Sequence, residues 1–221
     1  MHNIFLFPGL ILYDINIKPC DPAIQIQNYS SKLELDTRAD LSTMAQVKYR
    51  DARPEDFTTI SQIYNHYVSN SIATFEEDLV SEKDMLGRYN ICKAAGLPYI
   101  VAEEHDKVIG YAYLSYWRTR SAFRYSVENT VYLAPSHERK GVGKRLVQMT
   151  LDAARAIGKT SVVSAISIMP EQTVESSASI MLHLRTGFKT VGRMHKVGYK
   201  FGQWIDVAWL EINLAKTNSK L

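Results

Sequence analysis

Cysteine is nearly absent from this chain: its 221 residues hold two, Cys20 and Cys92. Two thiols build no disulfide framework, so an apolar core must hold the fold, and a reducing compartment such as the cytoplasm suits it. Also missing is a run of ~20 apolar residues, the length a membrane-spanning helix needs. The longest apolar start, Ile4 to Tyr13, is broken by Pro8 and Gly9, and it lacks the basic stretch that precedes a secretory signal. Charge of one sign is scarce as well. Lys plus Arg is 26 against 23 for Asp plus Glu, a net +3, which argues against the concentrated basic face of a nucleic-acid binder. Counts of 11 Gly and 7 Pro exclude collagen-like and low-complexity chains. His66 and His137 have no Cys or carboxylate partners at metal-ligand spacing, so no metal is expected. What is present is 46% hydrophobic content, enough to bury the core of one domain.

Residues 1–46 show no sustained helical or strand period and read as an N-terminal extension outside the fold, with Met44 an alternative start. The domain is expected over 47–221. Val47 to Arg50 alternates as a half-buried strand does. Pro54, Glu55 and Asp56 suit a helix start, and Ile60, Ile63, Tyr64, Tyr67 and Val68 form one apolar stripe up to Asn70. A second helix is predicted from Glu82 to Ala95, stopped by Gly96. A hairpin follows, with strands 99–102 and 108–113 around His105-Asp106-Lys107. A strand from Ser126 to Leu133 leads to a helix opened by Gly141 and closed by Gly158, whose apolar face is read as Val142, Leu146, Met149, Ala153 and Ile157. Then come a buried strand from Ser161 to Ile168, a helix from Ser176 to Arg185, and strands 191–201 and 205–214. That order predicts an α/β (α+β) domain, a mixed sheet with helices on both faces.

One loop stands out. Between Leu133 and the next helix lies Ser136-His137-Glu138-Arg139-Lys140-Gly141-Val142-Gly143-Lys144. Gly141 and Gly143 let backbone N–H groups approach a ligand closely, and the helix that starts here aims its free N–H groups and dipole at the same point. Arg139, Lys140 and Lys144 add positive charge. The combination suits a pyrophosphate; a solvated turn before a surface helix is the competing reading. It is neither a P-loop nor a dinucleotide fingerprint.

A strand, then a short glycine-bearing basic loop, then a helix resembles the acetyl-CoA signature of the GNAT acetyltransferases. Further stretches resemble the phosphinothricin and methionine sulfoximine N-acetyltransferases of that superfamily: Ile63-Tyr64-Asn65-His66-Tyr67-Val68, Ala73-Thr74-Phe75-Glu76-Glu77, Ser126 to Leu133, Ser179-Ile180-Met181-Leu182-His183 and Val197 to Val207. They fall in order from Val47 to Leu214. The resemblance implies the GNAT fold with a largely antiparallel central sheet, acetyl-CoA as co-substrate, a small amino-acid-like amine as acceptor and a homodimer. It implies that Val131, Tyr132 and Leu133 offer backbone groups to the pantetheine arm and thioester, and that Arg139, Lys140, Gly141, Val142, Gly143 and Lys144 wrap the pyrophosphate. Glu128 matches the general base and His183 a histidine near the leaving thiolate. Arg118, Thr119, Arg120, Glu128, Asn129 and Thr130 fall where the acceptor binds, with Phe75 closing that pocket from the neighbouring subunit. The chain also departs from the pattern. Glu138 replaces a Gln or Arg, an insertion spans Ile168 to Glu175, and Ser176 stands in the place of a cofactor-contacting Asn.

The chemistry asks for such groups. An amine must lose a proton before it attacks a thioester, and a carboxylate on a partly buried strand, with its pKa raised, serves as base; the competing reading of Glu128 is an outward-facing strand glutamate. Strand N–H groups near Tyr132 and Leu133 could hold the developing oxyanion. His183 could protonate the departing thiolate, or be a structural residue between two leucines. Arg118 and Arg120 can fork onto a carboxylate or phosphinate, or simply be solvated. The aromatics Tyr111, Tyr113, Tyr116, Trp117, Phe123 and Tyr125 read as core and rim. Other expectations stay open: a different amine or a protein N-terminus as acceptor, or a catalytically silent CoA-binding module.

Overall fold

The computed structural model describes residues 47–215. The N-terminal extension, with Cys20 and Met44, lies outside the described residues. In chain order the elements are β1 (Val47–Asp51), α1 (Phe57–Asn70), α2 (Glu82–Ala94), β2 (Tyr99–Glu104), β3 (Lys107–Tyr116), β4 (Ser126–Leu133), α3 (Val142–Ala156), β5 (Ser161–Ile168), α4 (Ala178–Arg185), β6 (Lys189–Lys200) and β7 (Gln203–Asn213), with short 3-10 turns before α1, β4, α3 and α4.

Local chemistry explains most of the boundaries. Pro54 opens a 3-10 turn ahead of α1, and the buried Asp56 there accepts two hydrogen bonds from Arg50, at 2.7 and 2.8 Å. Ser81 caps α2 by accepting from the Asp84 N–H at 3.1 Å, and Gly96, at φ 66, ends it in the left-handed conformation that glycine tolerates. The β2–β3 turn bends through His105 and Asp106, both at positive φ (49 and 58), the pairing a tight two-residue hairpin requires.

Seven strands form one sheet in the order β1-β2-β3-β4-β5-β7-β6. Every neighbouring pair is antiparallel except β4 and β5. That parallel seam is short: Ser126 faces Ser161, Val127 faces Val162, and Glu128 faces Val163, beyond which pairing stops. The sheet is therefore mixed and largely antiparallel, and a gap opens between the far halves of β4 and β5.

Helices cover both faces. On the first face Tyr99, Val101 and Tyr111 pack into one core with Phe57, Ile60, Ile63 and Tyr64 of α1 and Met85, Tyr89 and Cys92 of α2. On the second face Ile100, Ala102, Ile109 and Ala112 lie against Val142 and Leu146 of α3. The α3 stripe differs from the sequence expectation. Its buried residues are Val142, Gly143, Leu146, Val147, Thr150, Leu151 and Ala154, while Ile157 is 42% exposed. The helix contacts both the sheet and α4, which widens its apolar face beyond a single stripe. Burying Leu146, Val147 and Leu151 contributes about 2 kcal/mol each. The last helix begins at Ala178 rather than Ser176, because Ser177 is its cap and accepts from the Ile180 N–H at 3.4 Å. No helix among the described residues is long and apolar enough to cross a membrane.

Candidate active site

The site is built around the gap. The Ala134 N–H donates to Ile109 O at 2.8 Å, which continues the β3–β4 ladder in which Tyr132 faces Tyr111 and Thr130 faces Tyr113. By the alternation of an antiparallel ladder, the backbone groups of Glu128, Thr130 and Tyr132 turn toward β3 and those of Asn129, Val131 and Leu133 turn toward β5. Since β5 has departed by then, Val131 presents its backbone to the gap. Two carbonyls that point the same way have found side chains: Asn129 O accepts from Ser164 Oγ at 3.3 Å and Leu133 O from the Tyr67 hydroxyl at 2.7 Å. Of the three residues expected to offer backbone groups, Val131 turns its own to the gap, Leu133 does so with its carbonyl already held by Tyr67, and the Tyr132 backbone is committed to β3. Its side chain instead donates a hydrogen bond to Ala73 O at 3.1 Å.

Side chains along β4 alternate between the faces. Glu128, Thr130 and Tyr132 stand on the first face, where the Tyr132 ring lies 5.2 Å from those of Tyr64 and Tyr67 on α1. Glu128 is half-buried. Burial pushes its carboxyl above the ordinary value of 4.5, and the positive charge of Arg118 pulls it part of the way back. Arg118 is exposed, with its guanidinium 5.1 Å over the Trp117 ring, and Thr119 and Arg120 continue the same exposed loop. The structure thus brings Glu128, Thr130 and Arg118 toward one place. Phe75, 44% exposed, packs on its own chain: a methyl group added at Gly198 would meet its ring at 2.6 Å.

Asn129 is on the other face, which the sequence reading missed. Buried to 4% exposure, it is hydrogen-bonded to Thr150 Oγ1 on α3 at 2.8 Å and sits 3.3 Å from His183 Nε2. His183 is 2% exposed, burial lowers its pKa below the ordinary 6.5, and its Nδ1 donates to Ser179 O at 2.8 Å. Asn129 Nδ2 donates to Thr150 Oγ1, whose own proton goes to Val147 O at 2.8 Å, and Asn129 Oδ1 is the atom that faces His183 Nε2. Both nitrogens of His183 are engaged, its ring lies edge-on to Phe188 at 5.0 Å, and it meets Asn129 rather than Glu128. The glutamate's chain neighbour was legible as part of the motif; the face it occupies is set by strand parity.

At the head of α3 the loop backbone turns sharply. Arg139 and Gly141 are both left-handed, at φ 59 and 82, a conformation that recurs in anion-binding backbone nests. Gly143 is buried, and a Cβ there would meet the side-chain ends of Leu182 at 3.2 Å and Leu133 at 3.3 Å, so the helix start packs closely against α4 and β4. Arg139, Lys140 and Lys144 are exposed around it, and Val142 is buried beneath. The Glu138 carboxylate accepts from the Tyr67 hydroxyl at 3.1 Å. Ser176 is occupied locally, its hydroxyl donating to Thr173 O at 2.8 Å.

The first face also holds residues that sequence reasoning did not single out. Val163, Ala165 and Ser167 of β5 share the face of Glu128, and Ala165 pairs with Trp209 of β7. Ala165 is exposed and Trp209 half-buried, so the sheet beside Glu128 is open. Their sequence signal, a Ser-Ala-Ile-Ser strand and a lone Trp, resembles any buried strand. Among the described residues no group of His, Cys, Asp and Glu is placed to hold a metal ion.

A sheet split after a short parallel seam, with a left-handed glycine loop leading into a helix at one end of the split, is the architecture of an acyl-CoA-dependent acyltransferase. The comparisons agree. A family model described as an acetyltransferase (GNAT) domain matches residues 50–209. The chain is 36% identical over 165 residues to an L-methionine sulfoximine/L-methionine sulfone acetyltransferase of Salmonella typhimurium, covering 75% of this chain and 93% of that protein. It is 35% identical over 162 residues to a phosphinothricin N-acetyltransferase of Alcaligenes faecalis, covering 73% and 80%. Among solved structures, a GNAT-superfamily phosphinothricin acetyltransferase of Sinorhizobium meliloti in complex with acetyl-CoA superposes with a TM-score of 0.72 at 35% identity, covering 80% of this chain and 92% of the other. The chain belongs to the GNAT acetyltransferases, enzymes that take their acetyl group from acetyl-CoA.

Proposed function

We propose that this enzyme N-acetylates the α-amino group of a small amino-acid analogue of the methionine sulfoximine or phosphinothricin kind, with Glu128 as general base. The observation that carries the reading is the placement of Glu128: a carboxyl with a raised pKa at the last pair of the β4–β5 seam, on the open first face, with Arg118 supplying opposite charge. The similarity of the relatives named above supports the acceptor class.

The residues divide the work. The curled backbone at Arg139 to Gly143, with Lys140 and Lys144, holds the pyrophosphate. From Leu133 back to Glu128 is five residues, ~16 Å of strand, and the unpaired backbone of Val131 accompanies the pantetheine arm along it. Glu128 takes one proton from the acceptor ammonium, freeing the lone pair that forms the C–N bond as the C–S bond breaks. The second proton of the amine goes to the departing thiolate, and Glu128 returns its own to solvent. A backbone N–H turned to the gap, that of Val131, holds the thioester oxygen while it carries charge. Arg118, with Thr119 and Arg120 beside it, receives the acceptor's carboxylate, and Thr130 lines the floor. His183 acts through Asn129: it fixes β4 against α4 and reaches no reacting atom, in place of the proton donor expected from sequence.

The same reading includes a homodimer. β6 is an edge strand, and Val191, Met194, Val197, Tyr199, Phe201 and Trp204 of the β6–β7 hairpin are exposed large hydrophobics. An apolar edge of this length is a liability unless another chain covers it. The half-exposed Phe75 ring joins that surface. Acetyl-CoA supply and the free Cys92 thiol fit the cytoplasm.

The test incubates the protein with acetyl-CoA and methionine sulfoximine, methionine sulfone, phosphinothricin, free amino acids, polyamines and N-terminal peptides, while following free thiol. Release with the first three and little with the rest is expected. No release with those three removes this acceptor class.

A further inference from the structure

The segment between β5 and α4 begins with a tight turn. The Gln172 N–H donates to Met169 O at 3.0 Å, the Met169 N–H donates back to Gln172 Oε1 at 3.0 Å, and Pro170 fills the first corner, where its fixed φ fits. Three carbonyls of this turn, those of Met169, Pro170 and Gln172, accept from one guanidinium, that of Arg193 on β6, at 3.1, 2.8 and 2.9 Å. The fourth bond of Arg193 runs from Nε to Asp206 Oδ2 at 2.7 Å. Asp206 is 0% exposed and is fixed in turn: its Oδ1 accepts from the Lys196 N–H at 2.8 Å, and His195 Nδ1 stands 2.9 Å from its Oδ2. Lys196, left-handed at φ 50, belongs to the bulge of β6 between Met194 and Gly198.

The ladder accounts for the reach. Asp206 of β7 faces Ile168, the last residue of β5, and Arg193 faces Ala208, two residues along β7. All four share the second face, so Arg193 crosses β7 to meet the chain as it leaves β5. An ion pair with Asp206 needs only Nε. Both remaining nitrogens go to the turn, whose Pro170, Glu171 and Gln172 are exposed and have little packing to fix them.

The exit of β5 is one side of an opening. β4 and β5 run parallel, and five residues separate the last seam pair from each strand's end, Glu128 to Leu133 and Val163 to Ile168. Both ends thus lie ~16 Å past the seam. The glycine loop leaves one side of this mouth, and residues 169–177 leave the other. On the second face the two sides meet at Gly143, between Leu133 of β4 and Leu182 of α4.

We propose that Arg193 is a positioning residue for the acetyl donor: anchored on Asp206, it holds residues 169–172 so that the segment leading to α4 forms the second wall of the gap's mouth, opposite the glycine loop. The proposal rests on the acetyltransferase reading given above. Arg193 touches no reacting atom. Its effect belongs to the donor, since Glu128 and Arg118 lie at the seam, at the other end of the gap.

Arg193→Met combined with Asp206→Asn removes the anchor without stranding a buried carboxylate. Pro170→Gly with Gln172→Ala leaves the buried pair intact and loosens the turn itself. Calorimetric titration of the full chain would give the Kd for CoA, and steady-state kinetics the KM for acetyl-CoA and for methionine sulfoximine, each at saturating co-substrate. The first variant loses three charge-assisted hydrogen bonds to the turn, so the CoA Kd and the acetyl-CoA KM are expected to rise about 10-fold, with the acceptor KM within about twofold of wild type. The second should move the donor constants in the same direction by about threefold. If the acceptor KM rises equally or alone, Arg193 is no donor-positioning residue and the proposal is overturned; so it is if the donor constants stay put. Should the first variant not fold, the second decides by the same split. A wild type that binds CoA but acetylates no amine would defeat the acetyltransferase reading, and the CoA Kd, which needs no turnover, would still decide the role of Arg193.

Discussion

A carboxylate that is to take a proton from an ammonium works best when its own pKa has been lifted toward that of its target, and burial does this for Glu128 while Arg118 limits the lift. Two consequences follow at this scale. Glu128→Gln keeps the shape and removes the base, so kcat should fall ~100-fold with the acetyl-CoA KM nearly unchanged; a rate equal to wild type would remove Glu128 from its role. Since the base must be ionised, kcat/KM should decline as the pH falls through the carboxyl's raised pKa, giving an acid limb above the ordinary 4.5. Arg118→Ala takes away the charge that holds the pKa down, so the limb should move to higher pH in a pH–rate profile. Movement to lower pH would mean that Arg118 does not face Glu128.

At the scale of elements, α4 and β4 are joined by the Ser179–His183–Asn129–Thr150 chain of hydrogen bonds. The folded imidazole resists a proton that the unfolded chain accepts near 6.5. The unfolded state therefore binds more protons below that pH, and stability is lost as the pH falls from about 6.5 until it passes the lower folded pKa. Thermal unfolding followed against pH should show this slope in the wild type and a flatter one in His183→Gln, which has no charge to gain; equal slopes would place the titration elsewhere. The elements themselves were largely readable. Glycines mark the stops at Gly96, Gly158 and Gly187, all at positive φ, and strand β5 announced itself by its Val and Ile. The limits of α3 were legible while its buried face was not, since a helix touching two neighbours loses the single-stripe pattern. The candidate site divides similarly. Glu128 and the glycine loop are local signals, present in the order of residues. Lys200 and Ser167 hold carbonyls of residues 71–74 only because β5 and β6 meet a loop 90 or more residues earlier in the chain, as the separations of 95, 126 and 129 along those bonds record. No window of sequence holds that information.

At the largest scale, six large hydrophobic side chains of the β6–β7 hairpin are exposed among the described residues. Trp204→Glu with Tyr199→Glu would place two charges in the apolar surface while leaving the ladder pairs of Tyr199 and Trp204 in the backbone. Sedimentation velocity should show a dimer in the wild type and a shift to monomer in the double variant. A wild type that is monomeric at all concentrations tested would assign that apolar edge to something other than a second copy.

The three-pair seam between β4 and β5 has one further consequence. It makes the sheet resemble a book whose two leaves, β1 to β4 and β5 to β7, share a short spine. A thioester arm threaded into the opening does for the leaves what missing rungs would have done, so occupancy and cohesion are coupled and the enzyme should be at its stiffest when loaded with its donor.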